Sequence, residues 1–313
     1  MNLIITSTCN KKCSFCFAEG KGEQKELSLE DIISIIKKSS RNEDIKLLGG
    51  EPTLHSDFAE ILNYCKNIKN NVLLISNFFI KKDEVKNAII EFQNSKELRF
   101  LINVAELTQN QYELVSDNIK NLIKNKEVSL GYTLDRNRDF DSYKVWLEKF
   151  MTDVRDKVKN IRVSVPFPNF KQGEEKKFYL YNEYYFTDLI EKFIRWADQY
   201  DLPVSIDCGL FPCMFRDEEQ KQFFFRKIGD LKLGCTGGAF DIFNQKIASL
   251  CYPGKDICVD ISDHDSLDTA FNELLIKKQY YYAAKNNLPE ECKDCKFLNK
   301  ECAGPCIGFC TGG

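Results

Sequence analysis

The chain has 313 residues, 43% hydrophobic and 29% charged, with a formal net charge of −3 and a pI near 5.7. This length and hydrophobicity exclude wholesale disorder and favour one large domain with a smaller addition. The weak net charge gives no electrostatic footprint for nucleic acid or an anionic membrane, and no apolar run approaches transmembrane length.

From residue 3 to about residue 207, short apolar runs alternate with longer amphipathic stretches. The apolar runs predict strands at Leu3–Thr6, Asp44–Leu48, Asn71–Ser76, Leu98–Asn103, Val128–Leu134 and Asn160–Val165. The amphipathic stretches predict helices at Ser28–Ser39, Phe58–Asn67, Lys82–Asn94, Thr108–Asn125, Tyr143–Lys157 and Phe186–Tyr200. Six βα units in series indicate parallel strands with right-handed crossovers, too few for a closed eight-stranded barrel. We therefore predict an α/β fold, a partial (β/α)6 barrel with its active site at the C-terminal ends of the strands.

The character of the sequence changes after Val204–Asp207, the last strand predicted for the barrel. Cysteines and glycines become frequent, and helical periodicity persists only near Ser266–Asn286. We therefore place a domain boundary near residue 208. Residues 1–207 form the barrel in this prediction, and residues 208–313 form a small cysteine-rich domain.

Fourteen cysteines are the outstanding feature of the composition, and all but Cys65 lie near the N-terminus or after residue 207. The first residues are too short and uncharged for a signal peptide, so we expect a cytoplasmic protein. In a reducing cytosol such clusters indicate metal sites rather than disulfides. Thiolates are the preferred ligands of iron–sulfur clusters and of zinc.

The first cysteine motif, Cys9-Asn-Lys-Lys-Cys13-Ser-Phe-Cys16, directly follows the first predicted strand. Three thiolates on one short loop can hold three irons of a cubane and leave the fourth iron open to a ligand. The alternatives are a zinc knuckle or a redox-active cysteine pair. Zinc sites usually combine two C-x2-C units, and no second unit lies within the forty residues after Cys16.

The spacing C-x3-C-x2-C, with an aromatic residue before the last cysteine, resembles the signature of the radical SAM superfamily. This resemblance implies that Cys9, Cys13 and Cys16 bind a [4Fe–4S] cluster together with S-adenosylmethionine. It also implies that one electron from the cluster cleaves this cofactor to methionine and a 5′-deoxyadenosyl radical. The radical would then abstract an unactivated hydrogen from the substrate.

A second short motif supports the resemblance. The second predicted strand ends in Gly49, Gly50 and Glu51, which resemble the family's GGE motif. Two glycines permit the backbone to approach a ligand closely, and an acidic group can meet the ammonium of the methionine moiety. We expect His55, just beyond the motif, to make a structural hydrogen bond.

The resemblance implies further cofactor contacts. Phe15 would pack beside the cluster and the adenine. Ser76 and Asn77 stand where many relatives have Thr-Asn-Gly, with Phe78 in place of the glycine. Asn103 ends the fourth strand, where relatives often place a serine that contacts the ribose. Polar residues at strand ends are also ordinary caps and turn formers, which is the alternative reading.

Seven cysteines near the C-terminus follow an order that resembles the SPASM extension of radical SAM enzymes that modify peptides and proteins. There the extension holds two auxiliary [4Fe–4S] clusters. By this resemblance the inner cluster would take Cys235, Cys251 and Cys306, and the outer one Cys292, Cys295, Cys302 and Cys310. Lys246 stands where the family has a glycine, and two cysteine spacings differ from the family's. A twitch-type extension with one auxiliary cluster is therefore an alternative, and a zinc ribbon is another.

Four cysteines have no place in this scheme. Cys208 and Cys213 follow the last barrel strand, so both are expected near the active site. We expect Cys213 to be the fourth ligand of the inner cluster. The second possibility is a thiol that donates a hydrogen atom to a substrate radical, as in radical SAM peptide epimerases, and the third is an inert thiol. Cys65 is most simply a buried small hydrophobe, and Cys258 has no assigned role.

The SPASM-like tail favours a peptide substrate that receives a thioether, a carbon–carbon crosslink or an inverted stereocentre. Because Cys9 lies so near the N-terminus, we expect no leader-binding domain before the barrel, and so a separate leader-binding protein. An external donor such as flavodoxin or ferredoxin would reduce the cluster. The first alternative is a radical SAM dehydrogenase or epimerase acting on a small molecule such as an aminoglycoside. The second is a non-catalytic iron–sulfur electron carrier. The GGE motif is evidence against this second alternative.

Overall fold

The computed structural model describes residues 1–16, 26–39, 44–68, 71–94, 98–125, 128–135, 137–166, 184–207, 209–236, 240–243 and 246–310. Within these ranges the strands are β1 (Asn2–Thr6), β2 (Ile45–Gly49), β3 (Val72–Ser76), β4 (Leu98–Asn103), β5 (Val128–Thr133), β6 (Val158–Ser164), β7 (Val204–Ile206), β8 (Asp241–Phe243), β9 (Ile247–Ser249) and β10 (Cys258–Asp260). The helices are α1 (Leu29–Lys38), α2 (Phe58–Ile68), α3 (Asp83–Gln93), α4 (Gln109–Leu122), α5 (Phe140–Val154), α6 (Tyr185–Asp198), α7 (Glu218–Lys227), α8 (Leu267–Ala283), α9 (Glu290–Lys293) and α10 (Ile307–Cys310). Of the described helices, none is both long enough and apolar enough to cross a membrane.

The described strands form one sheet in the order β10-β9-β8-β1-β2-β3-β4-β5-β6-β7. Strands β1 to β7 are parallel, β8 adds in parallel to the free side of β1, and β9 and β10 are antiparallel additions. The order has two ends, so the sheet does not close. The prediction of an α/β fold with an open, mostly parallel sheet is confirmed, and each of the six predicted βα units is present.

The first helix illustrates why these residues fold as they do. Ser28 caps α1, because its side chain accepts a hydrogen bond from the amide of Asp31. Ile32, Ile35 and Ile36 are buried on the face that meets the sheet. The neighbouring Ile33 is only half-buried.

The two faces of the sheet differ in polarity. In β5, Val128 and Leu130 are buried, and the intervening Ser129 is half-buried on the opposite face. The Ser129 hydroxyl donates to the Asn160 side chain at 2.5 Å, and the Asn160 amide donates to the Ser205 hydroxyl at 2.9 Å. The face of the sheet opposite the buried Val128 and Leu130 is therefore polar.

The residues after position 208 are more regular than the sequence indicates. Ser266–Asn286 corresponds to α8, but α7 and strands β8 to β10 were not predicted. In α7 only Gln220 and Phe224 are buried, and its apolar residues, Phe223–Phe225, are consecutive and so show no helical period. Phe211, Phe224 and Ile307 belong to the same core cluster as residues of the barrel. The domain boundary near residue 208 stays a prediction.

Candidate active site

The three N-terminal cysteines lie on the loop that follows β1, at the C-terminal edge of the parallel strands. Cys9 is exposed, and Cys13 and Cys16 are half-buried. Burial is the main cause that raises the pKa of Cys13 to about 11, with smaller contributions from Glu106 and from the thiols of Cys16 and Cys9. The three sulfur atoms therefore lie close enough to affect one another. Each thiol must lose its proton when it binds a metal.

Gly49 and Gly50 allow the turn after β2 to pack against the start of this loop. A Cβ atom on Gly49, whose φ is +151°, would lie 2.2 Å from the carbonyl oxygen of Thr6. A Cβ atom on Gly50 would lie 2.5 Å from that of Thr8. The amides of Gly50 and Glu51 donate to these two carbonyls, each at 2.8 Å. The glycines thus meet the protein's own backbone here, and a ligand approach stays a prediction.

Glu51 is fully buried and joins the ends of two neighbouring strands. Its Oε1 accepts hydrogen bonds from the hydroxyls of Thr53 and Ser76, at 2.6 and 2.7 Å. Its Oε2 accepts from the amide of Asn77 at 2.7 Å. Burial raises the pKa of Glu51, and these hydrogen bonds oppose the shift. The carboxylate therefore fixes the Ser76–Asn77 turn, and its predicted contact with an ammonium stays a prediction.

Asn77 connects this turn to the cysteine loop. Its side-chain amide donates to the Asn10 side chain at 2.7 Å and lies 4.0 Å from the sulfur of Cys9. The next residue, Phe78, is fully buried with a φ of +63°, in the left-handed region that favours glycine. This backbone conformation explains why a glycine suits the position.

Charged residues hold the other end of the cysteine loop. The backbone amide and hydroxyl of Ser14 donate to the two carboxylate oxygens of Glu106, at 3.2 and 2.6 Å. The Ser14 hydroxyl also lies 3.2 Å from Asp135, and Arg138 lies 3.6 Å from Glu106. Lys11 donates to the carbonyl of Glu106 at 2.5 Å. Sequence reasoning missed these residues, although Glu106 and Asp135 each follow the C-terminal end of a parallel strand.

Two more predicted cofactor contacts lie in the same part of the molecule. Phe15 is half-buried in the turn between Cys13 and Cys16. Asn103 is exposed at the C-terminal end of β4, where a Cβ atom on Gly131 would lie 2.6 Å from its side-chain oxygen. The contacts of both residues with a cofactor stay predictions.

Two predictions of structural roles are confirmed. Nδ1 of His55 accepts a hydrogen bond from the amide of Asp57 at 3.0 Å, so Nε2 carries the proton and donates to the carbonyl of Leu27 at 2.8 Å. Cys65 is fully buried within α2, as expected for a small hydrophobic side chain.

A second group of cysteines lines a cavity, which we call the four-cysteine cavity. Its cysteines are Cys213, Cys292, Cys295 and Cys302, and apolar side chains such as Phe211 complete the wall. Burial is the main cause that raises the pKa of Cys213 to about 12, with smaller contributions from the thiols of the other three. Cys213 thus lies with three cysteines that the family order assigns to the outer cluster, rather than with the predicted inner group.

Of the predicted inner group, Cys235 lies near this cavity. The amide of Cys235 donates to the carbonyl of Gly304 at 2.9 Å, and Cys235 lies close enough to Cys302 to affect its pKa. Cys251 is half-buried and Cys306 is buried. Cys208 and the side chain of Cys310 lie outside the described residues.

The comparison with protein families addresses the N-terminal part of the chain. Residues 3–135 match the family model described as the radical SAM superfamily, a range that includes all three cysteines of the first motif and the Gly49–Glu51 turn. These residues are similar to that family, and they make up less than half of the chain.

Sequence relatives of the radical SAM region are similar over only part of their length. A probable GTP 3′,8-cyclase of Saccharolobus islandicus is 40% identical over 88 residues, which are 26% of this chain and 28% of the relative. A probable GTP 3′,8-cyclase of Methanococcus maripaludis is 32% identical over 143 residues, 42% of this chain and 46% of the relative. The aligned region thus spans less than half of either relative.

Solved structures are similar over almost the whole chain. The structure of Streptococcus suis SuiB bound to S-adenosylmethionine superposes with a TM-score of 0.69 at 16% identity, covering 97% of this chain and 72% of SuiB. SuiB bound to its precursor peptide SuiA superposes with a TM-score of 0.67 at 17% identity, covering 97% and 71%. At such identities the likeness establishes a shared fold.

The donor atoms of the first motif fit the cluster that the radical SAM family implies. Cys9, Cys13 and Cys16 are soft ligands on one loop, and each is at least partly accessible. Within the described residues, no three His, Cys, Asp or Glu side chains converge closely enough for a single metal ion. A cubane binds each cysteine through a different iron, so its ligands need not converge on one point.

Proposed function

We propose that this chain cleaves S-adenosylmethionine reductively at a [4Fe–4S] cluster held by Cys9, Cys13 and Cys16, and modifies a peptide. The observation that carries the proposal is the cysteine loop itself. It lies at the C-terminal edge of an open barrel, between the Glu51 turn and Glu106. Active sites of parallel barrels form at this edge. The bound cluster and S-adenosylmethionine supply the radical chemistry.

The protein's own residues would position this chemistry. Asn77 orients the first part of the cysteine loop through Asn10, and Glu106 holds Ser14 between the second and third cysteines. With both ends fixed, three thiolates can occupy three irons and leave the fourth for the methionine moiety. In this proposal Asn103 contacts the ribose and Phe15 packs against the adenine.

The four-cysteine cavity supports an auxiliary iron–sulfur cluster, bound by Cys213, Cys292, Cys295 and Cys302. Four thiols around one cavity are the ligand set that such a cluster requires. This grouping favours the ligand role of Cys213 over the hydrogen-donor role. The other predicted ligands, Cys235, Cys251, Cys306 and Cys310, would hold a further cluster in a full SPASM-type tail.

The reaction is tested by incubating anaerobically reconstituted protein with S-adenosylmethionine and dithionite. We expect 5′-deoxyadenosine to form. The triple variant, in which Cys9, Cys13 and Cys16 are all changed to Ala, should form none. A Cys65→Ala variant serves as the control, because this thiol is buried in α2 and should leave the product unchanged. Wild-type protein that binds iron yet releases no 5′-deoxyadenosine would instead support the electron-carrier alternative.

Iron content tests the auxiliary centre. In the triple variant, the remaining iron should be about four atoms per chain for one auxiliary cluster or about eight for two. Changing Cys213 to Ala should lower this iron as much as changing Cys295 to Ala does. If Cys213→Ala keeps all the iron while Cys295→Ala loses it, Cys213 is not a ligand. Zinc in place of the auxiliary iron would remove the electron-accepting role of this centre.

A peptide substrate is supported by the shared fold with SuiB, which has been crystallised with a precursor peptide. The GTP 3′,8-cyclase relatives favour the second candidate, a small-molecule substrate. Synthetic peptides from short reading frames beside the gene, and GTP as the small molecule, distinguish the two. We expect a peptide, and not GTP, to raise 5′-deoxyadenosine formation. The modified peptide should either lose two hydrogens or gain one deuterium from the solvent. Consumption of GTP alone would contradict the peptide proposal.

A further inference from the structure

Lys278 is a buried cation beside the second cysteine site. It lies on α8 with 8% of its surface exposed. Its ammonium donates a hydrogen bond to the carbonyl of Cys235 and lies 5.3 Å from the centre of the Tyr282 ring. Among the described residues, no carboxylate forms an ion pair with this lysine, whereas its neighbour Lys277 pairs with Glu273. A buried charge without a counter-charge is costly, so negative charge is expected nearby.

A nearby source of negative charge is the group of cysteines itself, because its thiols lose their protons when they bind a metal. The Cys235 segment packs tightly on the Cys302 segment, because a Cβ atom on Gly234 would lie 2.9 Å from the sulfur of Cys302. Burial raises the pKa of Cys302, and Lys278 opposes this effect, so the ammonium lies within electrostatic range of that thiol. An iron–sulfur cluster held by four thiolates carries a net negative charge, which a single fixed cation would partly balance.

We propose that Lys278 is the counter-charge of the metal centre in the four-cysteine cavity and raises its reduction potential. This inference rests on the auxiliary centre proposed above. Reduction adds one electron to the centre, with no bond or proton exchanged, and makes its charge more negative. A fixed positive charge in an apolar interior stabilises the reduced state more than the oxidised one. The centre thereby becomes a better acceptor of the electron released when product forms.

The test is a redox titration of the full-length triple variant, in which only auxiliary iron remains. Dithionite is the reductant, and the EPR signal of the reduced centre is followed. The signal is assigned by its loss when Cys295 and Cys302 are changed to Ala. We expect Lys278→Met to shift the midpoint potential to a lower value and Lys278→Arg to leave it close to that of the parent. Lys277→Met is the matched control, since it removes an exposed charge one residue away and should cause no shift.

Two results would overturn the role of Lys278 while leaving the centre intact. One is an unchanged potential in the Met variant with full auxiliary iron. The other is loss of this iron in both the Met and the Arg variants, because the centre would then require the shape of the lysine side chain rather than its charge. Loss in the Met variant alone supports the proposal, since the Arg variant keeps the positive charge that the Met variant lacks. A parent with no auxiliary iron would refute the proposed centre itself, and with it the inference.

Discussion

Phe78 shows a conflict between backbone conformation and side-chain burial at a single position. Its φ of +63° strains any residue with a Cβ atom, at a cost of about 1–2 kcal/mol. Its side chain is nevertheless fully buried, with an edge-on contact to Phe100 at a centroid distance of 5.6 Å. Burial of a phenylalanine outweighs this strain, because truncation of such a side chain costs about 3–5 kcal/mol.

The strain at Phe78 predicts an unusual order of stabilities. Phe78→Ala should destabilise the protein by about 3–5 kcal/mol, because it loses the packing and keeps the strain. Phe78→Gly should be about 1 kcal/mol less destabilising, because glycine adopts positive φ freely. Chemical denaturation measures both variants. Phe150, buried within α5, is the control position, where Gly should be worse than Ala. The same order at both positions would contradict the strained conformation.

At the scale of elements, the cysteine loop depends on hydrogen bonds from two sides. The bonds from Ser14 to Glu106 join the loop after β1 to the loop after β4. They involve a charged acceptor, but they are exposed, so their contribution is about 1 kcal/mol. This is enough to change how firmly the loop holds a metal cluster.

Glu106→Ala should therefore release the loop without unfolding the barrel. We expect iron at the N-terminal site to be lost to a chelator about fivefold faster, as a change of about 1 kcal/mol implies. Ser14→Ala should weaken the same contact, and the double variant should be little worse than Glu106→Ala. Glu113→Ala, which removes an exposed carboxylate from α4, is the control. Equal rates of iron loss in all variants would show that this contact does not hold the loop.

The elements of the barrel could be predicted from sequence because each strand and helix carries its own apolar period. The three-cysteine loop and the Gly49–Glu51 turn follow directly from two such strands. The cysteine-rich region is different, because α7 buries only two of its residues and β8 to β10 have three residues each. Local patterns of that length carry little signal, so the pairing of β8 with β1 could not be foreseen. The position of Cys213 beside the other cysteines of the four-cysteine cavity likewise depends on three-dimensional packing.

At the scale of the whole molecule, the C-terminal residues complete the sheet that the barrel begins. Asp241 and Ile242 of β8 pair with Asn2 and Leu3 of β1, which would otherwise be an edge strand. The buried Asp241 carboxylate accepts from the Asn2 side chain at 2.6 Å and from the amide of Tyr252 at 2.7 Å. One carboxylate thus bonds to the first strand and to the cysteine-rich region, and the core on either side is continuous.

This arrangement predicts that both regions unfold together. Asp241→Ala should cost about 2–3 kcal/mol, because it leaves buried donors without their acceptor. The two tryptophans, Trp146 and Trp196, report on the barrel, and thiol labelling of Cys258 reports on the C-terminal strands. We expect the substitution to shift both transitions to the same lower denaturant concentration. Asp263→Ala, which alters an exposed carboxylate in the C-terminal region, should shift neither.

The opposite outcome has an equally definite meaning. If Asp241→Ala exposed the C-terminal thiol at lower denaturant and left tryptophan fluorescence unchanged, the barrel would be stable without strands β8 to β10. The predicted boundary near residue 208 would then separate two independently folding units. A shared transition instead makes the C-terminal region part of the barrel's own stability. In that case, substitutions of the ligands proposed for the four-cysteine cavity would also weaken the barrel beneath the N-terminal cysteine loop.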